Sequence, residues 1–146
     1  MNEVKIFSDG ACFGNPGPGA FATLIQWGNG DEKVLTGFEP LTTNNRMELM
    51  GVIAGLEFLK EASRCHLVTD SQYVSKGISE WLPKWIRNHW RSKVTGGPIK
   101  NLELWQRLNV QLRRHRVDPH WVRGHTGHPE NERCNELAQQ TIREHT

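Results

Sequence analysis

Cysteine is scarce in this sequence. Cys12, Cys65 and Cys134 are an odd number, far apart, with no CxxC pair. That excludes a disulfide framework and a zinc module, and it fits a reduced, cytoplasmic protein. His125 and His128 have no cysteine or third histidine at zinc-site spacing beside them. Long apolar runs are also missing. No stretch is long enough to cross a membrane, and no secretory hydrophobic region follows Met1. Internal repeats, low-complexity tracts and linkers are absent. A chain of 146 residues without them reads as one domain, 1–146, with a core of its own.

One stretch has almost no acids. Between Lys84 and Arg116 stand nine of the eighteen basic residues and a single acid, Glu103. A solvated helix face is the ordinary meaning of such a run. Here Trp81, Trp85, Trp90 and Trp105 are interleaved with Lys84, Arg87, Arg91 and Lys93. Aromatics among cations suit a surface that grips a polyanion while part of it packs on the core. Nucleic acid is the expected partner, and Trp85 and Trp105 can equally serve packing.

Periodicity gives a coarse layout. Residues 4–12, 20–27 and 32–38 read as strands, the last two joined by "GNGD". "FGNPGPGA" reads as a loop, because its prolines and glycines suit no regular element. Residues 46–62 carry apolar side chains at helical spacing. A short strand follows over 65–70, then helical pieces over 71–89, broken near Gly77 and Pro83. A helix over 101–115, a strand over 118–123 and a helix opening at Pro129 complete the chain. The order predicts an α/β domain with a five-stranded mixed sheet: three antiparallel strands, then parallel ones, flanked by helices.

Three acids stand out against this layout. Asp9 lies late in the first strand, Glu48 in the first turn of the first helix, and Asp70 at the end of the fourth strand. If the first and fourth strands are neighbours, the three meet at one end of the sheet. Gathered carboxylates repel unless a cation joins them, and hard oxygen ligands suit Mg²⁺ or Mn²⁺. Two such ions can drive phosphodiester cleavage. Each acid also has a plainer reading. Glu48 follows Asn45 at capping-box spacing, Asp70 can cap the next helix, and Asp9 can sit in a turn ahead of Gly10.

The segments "FSDGACFGNPGPGAF", "TTNNRMEL", "TDSQYV", "LWQRL" and "WVRGHTGHPENERCNELA" resemble type 1 ribonuclease H of the bacterial kind, in order and over nearly the whole chain. The resemblance implies a ribonuclease H-like fold. It implies an endonuclease that cuts the RNA strand of RNA–DNA hybrids with two divalent ions, Mg²⁺ or Mn²⁺, leaving 5′-phosphate and 3′-hydroxyl ends. The family's metal-binding acids map onto Asp9, Glu48 and Asp70, and its loop histidine onto His125. Its basic protrusion maps onto residues 81–100, a handle for the DNA strand. Given that resemblance, Cys12, Asn15, Asn44, Asn45 and Gln72 are expected on the minor groove of the hybrid, where the 2′-hydroxyl distinguishes RNA. Thr43 and Arg46 are expected on a phosphate of the DNA strand.

The chain departs from the family pattern at Asn135, where a fourth acid is usual. An amide oxygen can ligate a hard cation but brings no charge. Asn135 therefore reads three ways: a natural variant that still supports a metal, an engineered change that slows cleavage, or the mark of a protein that binds hybrids without cutting them. Retention of Asp9, Glu48, Asp70 and His125 favours a working enzyme, expected as a monomer, with an altered metal response. A DNA-processing nuclease of the same superfamily is the other alternative.

Overall fold

The structure is a computed structural model, and it describes residues 2–92, 97–123 and 128–146. The first three strands are β1 (Asn2–Cys12), β2 (Gly17–Trp27) and β3 (Glu32–Thr42). Helix α1 (Asn44–Phe58) follows, then strand β4 (Ser63–Thr69). Next come α2 (Gln72–Lys76), one π turn over Gly77–Trp81, and α3 (Leu82–Arg87). Helix α4 (Leu102–Arg114), strand β5 (Arg116–Trp121) and helix α5 (Pro129–His145) close the chain.

The sheet runs β3-β2-β1-β4-β5. β1, β2 and β3 pair antiparallel, while β4 is parallel to both β1 and β5. The expected five-stranded mixed sheet is what forms. Alternation along β1 sends Ile6 to one face and Phe7 to the other. Ile6 joins a core with Leu49, Ile53 and Leu56 of α1, Leu67 of β4 and Leu104, Trp105 and Leu108 of α4. Phe7 joins Leu24 of β2 with Cys134 and Ala138 of α5. Each face is thus covered by helices, which explains why the middle of β1 is buried on both sides.

Two expectations are corrected. Gly17, Pro18 and Gly19 belong to β2, where a register shift against β3 accommodates them. A bulge lets a strand absorb residues that a regular ladder rejects. The helical region after Asp70 is also not broken at Gly77 or Pro83. Gly77 opens the π turn, and Pro83 lies directly after that turn hands over to α3. Gly77 is needed for another reason: a Cβ there would meet the Trp105 ring at 1.9 Å.

Candidate metal centre and nucleic-acid interface

Parallel pairing of β1 with β4 matches Ser8 to Thr69. The next residue in each strand direction is an acid, so Asp9 and Asp70 reach the same end of the sheet. Glu48 arrives from α1 by a close approach of backbones. A Cβ on Gly10 would lie 2.5 Å from the Glu48 nitrogen and 2.6 Å from the Met47 carbonyl carbon. Only glycine lets the first turn of α1 rest on β1 there. Carboxylate oxygens of Asp9, Glu48 and Asp70 consequently lie within 4.8 Å of one another.

The plainer roles for these acids are taken by neighbours. Thr43, not Asn45, caps α1: its hydroxyl accepts from the Arg46 N–H at 3.2 Å. Glu48 does not reach back to the cap; its Oε1 accepts from the Gly10 N–H at 3.1 Å. Ser71, not Asp70, caps α2 by accepting from the Val74 N–H at 3.1 Å. Asp9 sits within β1 and accepts from the Gly10 N–H at 2.9 Å.

Electrostatics give the cluster its character. Burial, then the negative charges of Asp9 and Asp70, push the Glu48 carboxyl well above the ordinary carboxylate range. Its Oε2 is buried with no hydrogen-bonding partner among the described residues. An orphaned buried oxygen beside two further carboxylates is a poor arrangement for a protein alone and a good one for a hard divalent cation. The donor set of Asp9, Glu48 and Asp70 fits such an ion.

Helix α5 stands next to this cluster. Cys134 packs on β1, its thiol donating to the Phe7 carbonyl at 3.6 Å. Burial, with the charge of Asp9 next, pushes that thiol up to about 12. Asn135 is the following residue, half-buried, and its Oδ1 accepts from Gln139 Nε2 at 2.6 Å. His125 lies outside the described residues.

The loops around the acids form a polar rim. Cys12 is partly buried, and its thiol is within donating distance of the carbonyls of Gly17 and Thr42. Asn15 is exposed, and its Oδ1 accepts from the Asn44 N–H at 3.0 Å, tying the first loop to the start of α1. Asn45 and Gln72 are exposed. Arg46 is already engaged: it pairs with Glu39 at 3.1 Å and with Glu103 at 2.5 Å. Sequence reasoning overlooked both pairings: Glu39 lies on β3, across the turn that leads into α1, and Glu103 lies far along the chain on α4, so neither gave a local signal.

In the basic segment, labour is divided by residue type. Lys84, Arg87 and Arg91 are exposed. Trp81, Trp85 and Trp90 are half-buried against the core. Trp81 and Trp85 pack tilted at 6.0 Å, and Trp85 meets Trp105 edge-on at 5.4 Å. Trp105 is fully buried and donates from Nε1 to the Tyr73 hydroxyl at 3.1 Å. The indoles hold the segment to the body while the cations face solvent. A cleft of about 760 Å³ opens here, lined by Trp81, Lys84, Trp85, Arg87, Arg91 and neighbours. Lys93 lies outside the described residues.

A family model for RNase H matches residues 1–143. The chain belongs to the ribonuclease H family. It is 56% identical over 141 residues to the ribonuclease H of Syntrophotalea carbinolica, which covers 95% of this chain and 90% of that protein. Among solved structures it is similar to LC9-RNase H1, described as a type 1 RNase H with the type 2 active-site motif. That match has a TM-score of 0.88 and 34% identity over 100% of this chain and 74% of the other. The fold also resembles that of LC11-RNase H1, solved in complex with an RNA/DNA hybrid. There the TM-score is 0.71 at 18% identity, over 97% of this chain and 98% of the other. Among the described residues of this ribonuclease H, no helix is long and apolar enough to cross a membrane.

Proposed function

We propose that this ribonuclease H hydrolyses the RNA strand of RNA–DNA hybrids, leaving 5′-phosphate and 3′-hydroxyl ends. The observation that carries the reading is the set of three carboxylates within 4.8 Å of one another, one with a buried, unpartnered oxygen. Asp9, Glu48 and Asp70 would hold Mg²⁺ or Mn²⁺, two ions in the working complex, and Asn135 would complete the set with a neutral oxygen. When bound, such ions activate a water and stabilise the leaving oxygen. Alternation along β1 supports the role of Asn135, since it puts Asp9 on the Phe7 face, where Cys134 packs. Asn135 is the next residue of α5.

The remaining residues bind and orient. Cys12, Asn15, Asn44, Asn45 and Gln72 are placed to test the minor groove for 2′-hydroxyls. Thr43 and Arg46 would take a phosphate of the DNA strand, with Arg46 shared between it and two carboxylates. Lys84, Arg87, Arg91 and Lys93 would hold the DNA backbone beyond the site, with Trp81, Trp85 and Trp90 as their footing. His125 would carry a proton near neutral pH, as imidazole can. Residues 1–146 would act as a single catalytic domain with a protrusion at about 81–100, monomeric and cytoplasmic.

A panel of DNA–DNA, RNA–RNA and hybrid duplexes, run in Mg²⁺ and in Mn²⁺, tests this. Cleavage confined to the RNA of the hybrid is expected, and Asp70→Asn should abolish it while binding survives. A hybrid that is bound but left intact in both metals would make this chain a binding module. Cutting of duplex DNA would make it a DNA-processing nuclease.

A further inference from the structure

Three side chains one turn apart on α5 form a directed chain of hydrogen bonds. Arg143 Nη2 donates to Gln139 Oε1 at 3.3 Å, and Gln139 Nε2 donates to Asn135 Oδ1 at 2.6 Å. The direction follows from chemistry alone. A guanidinium has only donors, so the atom of Gln139 that faces Arg143 is its oxygen. The Gln139 atom that faces Asn135 is then its NH₂ group, which has only donors to offer. Asn135 must answer with its oxygen. An amide could otherwise present oxygen or nitrogen, and only the oxygen can ligate a cation. Arg143 thus determines, across two turns of helix, how the Asn135 amide is turned.

Bonds between residues four apart on a helix ordinarily do no more than support the helix. Two observations set this one apart. The Gln139–Asn135 contact is short at 2.6 Å, and both residues are half-buried. The bond also falls beside Cys134, which packs on β1 with its thiol donating to the Phe7 carbonyl at 3.6 Å.

We propose that Gln139 is a positioning residue for the metal centre: with Arg143 behind it, it fixes the Asn135 amide so that Oδ1 is held in one place and keeps a lone pair for a divalent ion. An aspartate would need no such device, because both its oxygens are alike. An asparagine does need it, and the pair Asn135–Gln139 supplies it. The inference rests on the reading of Asn135 as a member of the metal site. It assigns a role to the outer partner, of the kind that orients ligands in metal sites generally.

The test is Mn²⁺ binding to the full chain, without substrate, by titration calorimetry. Parent, Gln139→Met, Asn135→Ala and the double variant are compared, and melting in EDTA is measured for each. Methionine keeps the length of glutamine and removes its donor. Gln139→Met should weaken Mn²⁺ binding by roughly tenfold, the low end of what loss of an outer partner costs. The double variant should bind no more weakly than Asn135→Ala, because Gln139 acts only through that amide. Melting in EDTA should hardly change, which separates positioning from helix support. If Asn135→Ala weakens binding and Gln139→Met does not, Gln139 has no positioning role and Asn135 remains a ligand. If Asn135→Ala leaves the isotherm untouched, the membership of Asn135 in the site fails, and the proposal with it.

Discussion

At the scale of single residues, Glu48 carries the largest conflict. It is buried between two like charges, and its Oε2 has no partner among the described residues. Glu48→Gln removes the charge and keeps the Oε1 position that the Gly10 N–H contacts. In EDTA at neutral pH the variant should be more stable than the parent, because it removes a carboxyl that burial and two like charges disfavour as an anion. The same variant should lose cleavage. A denaturant midpoint that does not rise would place the cost of the acid cluster elsewhere. His115 is strained in the opposite sense. Its Nδ1 accepts from the Ser63 N–H at 3.0 Å, which leaves Nε2 to donate to the Leu56 carbonyl at 3.0 Å. Burial, with the nearby Arg114 charge, lowers its pKa below the ordinary 6.5. An unfolded chain takes up a proton near that pH, while the folded protein resists it. Stability from this source is therefore full above pH 6.5 and lost as pH falls, by at most about 1.4 kcal/mol per unit. In the variant His115→Gln the unfolding free energy should fall less steeply between pH 7 and pH 5. Parallel profiles for the two proteins would rule the imidazole out as the cause.

At the scale of elements, the seating of α1 on β1 decides whether the site exists. Gly10→Ala puts a methyl group within 2.5 Å of the Glu48 nitrogen. Backbone atoms cannot swing aside as side chains do, so α1 must lift. The expected cost is about 1–3 kcal/mol, with loss of metal affinity beyond what the stability change explains. Unchanged Mn²⁺ binding in this variant would mean that Glu48 reaches the cluster by another route. The basic segment makes a separate prediction. Replacing Lys84, Arg87 and Arg91 by Gln should weaken hybrid binding and flatten its dependence on salt, by up to about one unit of slope per lost phosphate contact. Turnover of bound hybrid should change little. An identical slope would reduce the segment to a solvated face. Much of this layer was legible in the sequence, and the failures have physical causes. The run of strands and helices and α5 opening at Pro129 follow from periodicity and spacing, while the meeting of Asp9, Glu48 and Asp70 hung on β1 and β4 being neighbours, which the sheet pairing supplies. The capping alternatives for Glu48 and Asp70 stayed open because several cap-forming residues stand close together at each helix start. Thr43 outcompetes Asn45 and Ser71 outcompetes Asp70, and only three-dimensional geometry separates them. The strand character of Gly17–Pro18–Gly19 was hidden because it is set by β1 and β3 on either side, against local preference. The Glu39–Arg46–Glu103 pairing joins β3, α1 and α4 and leaves no trace in any one of them.

At the scale of the whole molecule, metal binding and folding are linked. Ligands bound only by the native state raise its stability by RT ln(1 + [L]/Kd). Mn²⁺ at a hundred times its dissociation constant should add about 2.7 kcal/mol, and Asp70→Asn should remove most of that gain. Thermal melting with and without Mn²⁺ measures it. A parent that melts at the same temperature in both would show that the acids do not take up the ion in the folded state.

Parallel pairing of β1 with β4 sets Ile6 against Leu67, sixty-one positions later. A protein being made is extruded from its first residue onward, and β4 is formed only when nearly half of it has been synthesised. Until that strand docks, Asp9 and Asp70 have no reason to meet. A half-made chain, still held by the ribosome, therefore lacks the assembled acid cluster. The long reach between the two strands thus ties assembly of the acid cluster to the docking of β4.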